Sequence, residues 1–407
     1  MNAIAGAPPR LLIVSGTAPG KGHVGEIILR DVIAAYPGGH CAVLSTRAPK
    51  QADAALDGRY QLRVLDPPGE RPASRRGQAM GAVRKLVTNL LEVRRASRRL
   101  VEEAAVMAQQ LGAHKIWLVL NSAEMFAVGP LLARRLKLPL VSLVWDPPVH
   151  LLQASRFDRV TRKLLLSRFS ETLALSEKVA VVSESMAEDY ARNHGASTVL
   201  MRRGVEWSGP ARERDQAHQD EFVIGFAGAL HAKTAWNAWV AALDQVGWQL
   251  QGRRIGMRML GATLQVKSRS SALIEYLGWR DDAEATAILA GCDATYLPFP
   301  FEPKLAEMAR YSFPTKLSSY IALGLPMLAH AQASSSVGRF LTAQPGVAVL
   351  CTSLDAGPIL AGLEQLMREP AAHYEHACRE AHERSFSRRQ FLNSFATFVG
   401  CSPDALI

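Results

Sequence analysis

The chain has 407 residues, 48% hydrophobic and 21% charged, the balance of a soluble globular protein with length enough for two domains. No apolar run reaches the roughly 20 residues that cross a bilayer. The five cysteines (Cys41, Cys292, Cys351, Cys378 and Cys401) are scattered and form no CxxC pair, which argues against a zinc centre or disulfide frame and for reduced thiols in a cytoplasm. A net charge of +10 favours anionic partners, whether nucleotides, phospholipid surfaces or nucleic acid, without choosing among them. The start of the chain has neither a basic n-region nor a cleavage signal, so Leu11 to Ser15 reads as a first strand and the expected location is cytoplasmic.

That strand runs into Gly16-Thr-Ala-Pro-Gly20-Lys-Gly22-His23-Val-Gly25 and then a helical pattern from Ile27 to Ala35. Strand, glycine-rich loop and helix form the layout that brings backbone amides up to phosphate or sugar. Gly16, Gly20, Gly22 and His23 are the candidates here, with glycines that simply make a tight turn as the alternative. Gly20, Gly22 and Gly25 also satisfy GxGxxG. However, the glycines stand late after the strand, and the second strand (Cys41 to Ser45) ends in Thr46-Arg47 rather than in a carboxylate. Only an NADP-type reading, with Arg47 meeting a 2′-phosphate, survives for a dinucleotide.

Tyr60 to Asp66 reads as a third strand. The tract from Arg71 to Arg99 follows, with Arg71, Arg75, Arg76, Arg84, Lys85, Arg94, Arg95, Arg98 and Arg99 against the single acid Glu92. Its apolar residues Val83, Leu86, Val87, Leu90, Leu91 and Val93 recur at helical spacing. The tract is either a basic amphipathic helix for an anionic membrane surface or a domain helix that packs its apolar side inward. Arg156 to Ser170 is a second basic segment of the same kind. Between them, Lys115 to Leu120 and Leu138 to Val144 read as buried parallel strands flanking a helix from Met125 to Leu136, which makes alternating βαβ units. The second strand ends in Trp145-Asp146-Pro147-Pro148. There Asp146 is either a ligand group beyond the carboxyl end of a strand or a turn-former before two prolines.

Trp207 to Glu221 is polar and reads as a linker. A second strand–loop–helix opening follows it, from Glu221 through Gly228, His231 and Lys233 to Leu243. Arg254 to Leu260 is a strand ending at Gly261, and Ile274 to Arg280 is another, which includes Trp279. The most informative stretch is Tyr311 to His330: a loop, a helix from Pro314 carrying Thr315 and Lys316 in its first turn, a stop at Gly324, and a strand from Pro326 to Ala329. Free amides, the positive end of the helix dipole, a hydroxyl and a lysine together make a seat for an anion such as phosphate.

Pro314-Thr315-Lys316-Leu317-x-x-Tyr320-x-Ala322-x-Gly324-x-Pro326 resembles the donor-site segment of GT-B glycosyltransferases, especially glycosyltransferase family 4. The resemblance extends in order over most of the chain. Lys178 to Ser185, Gly204-Val205-Glu206, Gly228 to Lys233, Ile274 to Arg280 and Cys292 to Pro298 each fall where that family has related motifs. It implies an α/β chain of GT-B architecture, with two Rossmann-like parallel-sheet domains facing across a cleft and a C-terminal helix crossing back to the first. The expected boundaries are an acceptor domain over 1–206, a linker over 207–220, a donor domain over 221–385 and the returning helix over 386–407.

The resemblance further implies transfer of a sugar from a nucleotide-diphosphate sugar, used as co-substrate, to a glycan or lipid-linked acceptor. No other cofactor, no metal and no nucleic acid are expected, and the anomeric configuration is retained. Asp146, Lys233 and Lys316 are the catalytic candidates. Gly228, His231, Gly261, Trp279, Arg280, Glu302, Thr315, Lys316, Leu317 and Ser319 are the donor-binding candidates. The chain departs from the family pattern at Ala229, where an arginine is usual, and at Ser319 and Tyr311, where glutamates are usual. Those departures keep a non-catalytic nucleotide-sugar-binding protein in view. Segments 71–99 and 156–170 imply a peripheral position on the inner face of a membrane.

Overall fold

The computed structural model describes residues 7–65, 81–153, 157–209, 220–261, 268 and 270–406. The chain divides into two compact units, Met1–Met201 with Leu392–Ile407, and Arg202–Phe391.

The first unit alternates strands and helices: β1 (Leu11–Ser15), α1 (Val24–Ala35), β2 (Cys41–Ser45), β3 (Tyr60–Val64), α2 (Ala82–Leu111), β4 (Lys115–Val119), α3 (Ala123–Leu136), β5 (Leu140–Val144), α4 (Pro148–Gln153), α5 (Arg159–Leu175), β6 (Lys178–Val181), α6 (Glu184–His194) and β7 (Thr198–Leu200). The strands form one sheet in the order β3-β2-β1-β4-β5-β6-β7, parallel throughout. Every residue of β1, β2 and β5 is buried. Helices cover both faces of a parallel sheet, so its central strands read as unbroken apolar runs. The order reverses direction between β1 and β4, and the loops that leave those two strands stand at the switch point where ligands bind in such sheets.

Helix α3 approaches α5 closely because Gly129 has no side chain. A Cβ there would lie 2.1 Å from Thr172 Oγ1. Arg168 of α5 donates to the Ala127 carbonyl at 2.9 Å, so this member of the second basic segment is spent on helix packing. Asp158 caps the start of α5, accepting from the Val160 and Thr161 amides at 2.9 Å each and from Asn89 of α2 at 2.8 Å. The Thr161 hydroxyl, which donates to Asp158 at 2.7 Å, together with the Thr161 amide and Asn89 holds its carboxyl below the usual aspartate range.

The described part of the basic tract lies in one helix, α2, which runs unbroken for 30 residues from Ala82 to Leu111 and ends at Gly112. Its apolar residues divide between two faces. Leu86, Leu90 and Val93 are partly buried, and Leu100, Ala104, Met107 and Leu111 continue that side into the core. Val87 and Leu91 are exposed on the opposite side. The domain-helix alternative therefore describes the inner face and leaves the outer one to be explained. Arg71, Arg75, Arg76 and Arg156 lie outside the described residues.

The second unit contains β8 (Glu221–Ala227), α7 (Lys233–Gln245), β9 (Gln249–Leu250), β10 (Arg253–Leu260), β11 (Ile274–Gly278), α8 (Asp282–Ala290), β12 (Ala294–Pro298), α9 (Ala306–Tyr311), α10 (Thr315–Leu323), β13 (Met327–His330), α11 (Ser336–Thr342), β14 (Val349–Cys351), α12 (Ala356–Arg368) and α13 (Ala371–Ser385). Its sheet runs β11-β10-β8-β12-β13-β14, with β9 antiparallel on β10. Without that two-residue addition the strand order repeats that of the first six strands of the first unit, with no counterpart of β7 among the described residues, and the switch point falls between β8 and β12. Phe226, Trp236, Trp239, Trp248 and Tyr296 build the core between the sheet and α7. His330 is satisfied there, 2.9 Å from the Tyr296 hydroxyl and 2.7 Å from the Ser353 carbonyl, and burial keeps its imidazole pKa low.

Several boundaries differ from those read in the sequence. Arg202 to Glu206 belong with the second unit, not the first. The Arg202 guanidinium lies 4.1 Å from the Phe313 ring centroid, Val205 N–H donates to Phe386 O at 2.8 Å, and Arg203 pairs with Asp282. The described part of the expected linker is packed as well. Trp207 lies against His382 and Arg379, and Ser208 N–H donates to Ala322 O at 3.0 Å. An indole with apolar ring area to bury settles on the nearest core, whatever the polarity of its neighbours in sequence. The remainder of that linker, 210–219, lies outside the described residues. The last helix, α14 (Arg388–Val399), carries the chain back into the first unit from Leu392, where Phe395 and Phe398 pack on Trp117.

Candidate functional site

In the second unit, the carboxyl ends of β8, β10 and β11 lie side by side, and the start of α10 meets the loop that follows β8. Pro314 is the N-cap rather than the first helical residue, because its ψ of 125° is extended, and the helix begins at Thr315. No side chain caps this end, which leaves first-turn amides without an intrahelical partner. Gly324, at φ 64°, ends the helix in the left-handed conformation expected of it.

Lys316 reaches back from the first turn to the loop after β8. Its Nζ donates to Ala229 O at 3.0 Å and sits 4.3 Å from the Phe226 ring centroid. The side chain is partly exposed, and among the described residues no carboxylate pairs with it. Burial lowers its pKa from 10.5 to about 7. A lysine with one carbonyl, one ring face and no counter-ion has its remaining donor capacity open to an anion.

The glycines around it are required by geometry. Gly228 and Gly261 have φ values of 97° and 116°, which side chains disfavour. A Cβ on Gly261 would stand 2.8 Å from Gly228 O, and one on Gly228 would face Lys316 Nζ at 3.8 Å. Gly261 N–H in turn donates to Gly278 O at 2.8 Å, which ties this cluster to the end of β11. Trp279 follows with 64% of its surface exposed, and Arg280 donates to the Trp279 carbonyl at 2.9 Å.

Gly228, Gly261, Thr315 and Lys316 are thus brought to one sheet edge, with Trp279 and Arg280 just beyond β11. His231 is exposed in the loop after β8, and Lys233 is the exposed first residue of α7. Ser319 is partly buried on α10. Leu317 is fully buried, so its side chain belongs to the core and only its backbone is available to a ligand. Glu302 has work inside the protein. It accepts from Thr234 N at 2.9 Å and Phe301 N at 3.1 Å, capping α7 from the neighbouring loop. Burial pushes its carboxyl pKa up, but these hydrogen bonds prevail and hold it below the usual glutamate range.

Tyr320 was legible only as a motif letter, and its role comes from the tertiary structure. Its buried hydroxyl accepts from Ala227 N at 2.8 Å, fixing the end of β8 immediately before Gly228. Tyr320→Phe is expected to orphan that amide and cost about 1–3 kcal/mol. Denaturant unfolding within about 0.5 kcal/mol of the parent would remove this role.

In the first unit the glycine-rich loop is held from inside. Gly16 N–H donates to Asn121 Oδ1 at 2.9 Å, Gly20 N–H to Glu26 O at 3.2 Å and Gly22 N–H to Glu26 Oε2 at 2.8 Å. These three amides are committed to internal acceptors and are not free to cradle a phosphate. Glu26 is wholly buried, and its other oxygen accepts from Lys50 N at 2.9 Å. His23 caps α1 through Nδ1, which accepts from Glu26 N at 3.4 Å. Its Nε2 lies 3.2 Å from Glu26 Oε1 and 3.3 Å from Thr17 Oγ1. The available signal for Glu26 was its place three residues after an N-cap, the spacing of a capping box, inside an otherwise apolar run. Asp146 lies partly exposed in the bend between β5 and α4, after Trp145, whose ring packs on Gly25.

Neither protein-family models nor curated protein sequences match this chain. Solved structures do. Sucrose-phosphate synthase from Thermosynechococcus elongatus aligns with a TM-score of 0.67 at 13% identity, over 95% of this chain and 97% of that one. HepE from Anabaena, in complex with UDP-glucose, gives 0.62 at 15% identity over 95% and 98%. A UDP-forming trehalose-phosphate synthase from Burkholderia xenovorans, in complex with glucose-6-phosphate, gives 0.61 at 11% identity over 96% and 100%. The fold is therefore that of the GT-B glycosyltransferases, as the motif resemblance implies.

Proposed function

We propose that this chain is a glycosyltransferase that takes a sugar from a nucleotide-diphosphate sugar and passes it to a glycan or lipid-linked acceptor. The observation that carries this reading is Lys316: a cation without a carboxylate partner, at an uncapped helix start, beside two glycines that admit a ligand to the backbone. As the glycosidic bond breaks, negative charge grows on the departing diphosphate, and fixed amides with an ammonium group stabilise it. Lys233, His231 and Thr315 are the further groups on this unit suited to phosphate. Trp279 offers an exposed ring for a base, and Arg280 stands next to it. Solved complexes with UDP-glucose and glucose-6-phosphate among the structural neighbours are in keeping with a nucleotide-sugar donor and a polar acceptor.

The acceptor is assigned to the first unit, near Gly16, His23 and Asp146. The reaction is taken as retaining, by the motif resemblance, and as metal-independent. The sequence contains no Asp-x-Asp, and among the described residues no three His, Cys, Asp or Glu side chains are grouped to hold a metal ion. No helix among the described residues is long and apolar enough to cross a membrane. A peripheral position on a cytoplasmic membrane face is assigned to the basic helices.

Ala229 and Ser319 favour one other reading, a protein that binds nucleotide sugars without transferring them. A thermal-shift panel of UDP-, GDP-, ADP- and dTDP-sugars beside NADP tests the site. One nucleotide sugar should raise the melting temperature and NADP should not. Transfer of labelled sugar to any acceptor would then exclude the binding-only reading, whereas a shift with NADP alone would overturn both.

A further inference from the structure

The outer face of α2 has a pattern that folding does not require. Arg84, Val87, Leu91, Arg94, Arg95 and Arg98 recur at spacings of three and four, so they form one stripe along the helix. This stripe faces away from the buried row of Leu100, Ala104, Met107 and Leu111. Val87 is 49% exposed and Leu91 44%, in the middle of a row of arginines. A helix stabilised only by its own core would place charged or polar residues there. Charge is also segregated along the helix. From Arg84 to Arg99 six cations (Arg84, Lys85, Arg94, Arg95, Arg98 and Arg99) face one acid, Glu92. The remainder to Leu111 has two acids, Glu102 and Glu103, and no cation. Among the described residues none of the six cations is in an ion pair.

We propose that this stripe is a docking face for an anionic lipid bilayer, with Val87 and Leu91 entering the headgroup–acyl boundary and the flanking arginines on lipid phosphates. Charge complementarity selects this occupant. An apolar protein partner would be served by the two aliphatic residues without four arginines around them, whereas a bilayer surface uses both. Arginine stems cover apolar area while their guanidinium groups reach the phosphate layer. Each arginine near an anionic surface contributes roughly fivefold to partitioning. The inference specifies the membrane-facing element of the functional reading above, and it rests on no property of the donor site.

The test is cosedimentation of the full chain with phosphatidylcholine vesicles, with and without phosphatidylglycerol, in the absence of any nucleotide sugar. The parent chain should pellet with the anionic vesicles at low salt, stay in solution with phosphatidylcholine alone, and be released by added salt. Val87→Ser with Leu91→Ser should abolish pelleting. Arg94→Gln with Arg95→Gln should weaken it by roughly 25-fold. Both pairs are exposed, so the melting temperature should not move. Failure of the parent chain to pellet, or variants that pellet as it does, would overturn the proposal. A parent dimer that Val87→Ser with Leu91→Ser converts to a monomer, with no vesicle binding, would assign the stripe to a second copy instead. Equally tight retention on DNA would assign it to nucleic acid. Because no sugar is present, none of these outcomes bears on transfer, and a negative thermal-shift panel leaves the vesicle result standing.

Discussion

Lys316→Ala is expected to bind nucleoside diphosphates and their sugars roughly ten- to a hundredfold more weakly than the parent chain, and to lose at least as much turnover. That range is the worth of one hydrogen bond to a charged group, about 1.5–3 kcal/mol. Lys316→Met separates charge from packing, since a thioether chain of similar length still covers the Phe226 ring. It should fold as the parent does and bind donor as poorly as the alanine variant. Calorimetric titration of each variant with nucleoside diphosphates is the check, and unchanged affinity for all of them would remove Lys316 from the site.

The same residue sets a pH dependence. Burial places the free lysine near pH 7, so above that value it is neutral in the unliganded protein. A diphosphate favours the charged form, so binding above pH 7 takes up a proton and affinity falls as pH rises. Titration in two buffers of different ionisation enthalpy should reveal that uptake near pH 8 and little of it near pH 6, values chosen to bracket the shift. The unliganded protein behaves oppositely. Between about 7 and 10.5 the unfolded chain holds the proton that the folded chain has released, so this group makes stability rise with pH over that window. Lys316→Met should abolish both effects.

Glu26 carries the second large effect. Both of its oxygens accept backbone N–H groups, from Gly22 and from Lys50, inside a fully buried site. Alanine would orphan both donors, at about 1–3 kcal/mol each. Glutamine should cost about half as much, because only one of the two amides would then face an NH₂ group rather than an acceptor. Loss of about 2–6 kcal/mol is therefore expected for Glu26→Ala and about 1–3 kcal/mol for Glu26→Gln, with the Gly16–His23 loop released first. Hydrogen exchange at the Gly22 and Lys50 amides gives the local reading. If protection there survived in Glu26→Ala, the loop would have to be held by something else. Should the loop meet the acceptor as proposed, acceptor KM will rise while donor affinity stays constant.

Much of the architecture could be read from local pattern. The apolar runs at Leu11–Ser15, Lys115–Val119 and Leu140–Val144 announced strands covered on both sides, because a parallel sheet between helix layers needs apolar residues at every position. Gly324 ended its helix as expected, since a left-handed C-cap is a property of one residue and its neighbours. Helix α13 went unread, because its apolar residues Tyr374, Cys378 and Ala381 are diluted among histidines, arginines and glutamates. Trp207 read as linker because a packed indole and a polar tract look alike until the core receiving the ring is known.

Composition and periodicity, which act over a few residues, were enough to specify two strand–glycine–helix units and to mark Lys316 as a first-turn cation. The rest needed the tertiary structure. That Lys316 meets Ala229 and Phe226, that Glu26 fastens a loop reaching to Lys50, that Glu302 caps α7, and that Val87 and Leu91 point away from the core are relations between segments. A side chain's hydrogen-bond partner and its desolvation depend on groups brought near it by sheet order and helix packing. Sequence spacing alone cannot contain that information, because the same local pattern serves an inward face and an outward one equally well.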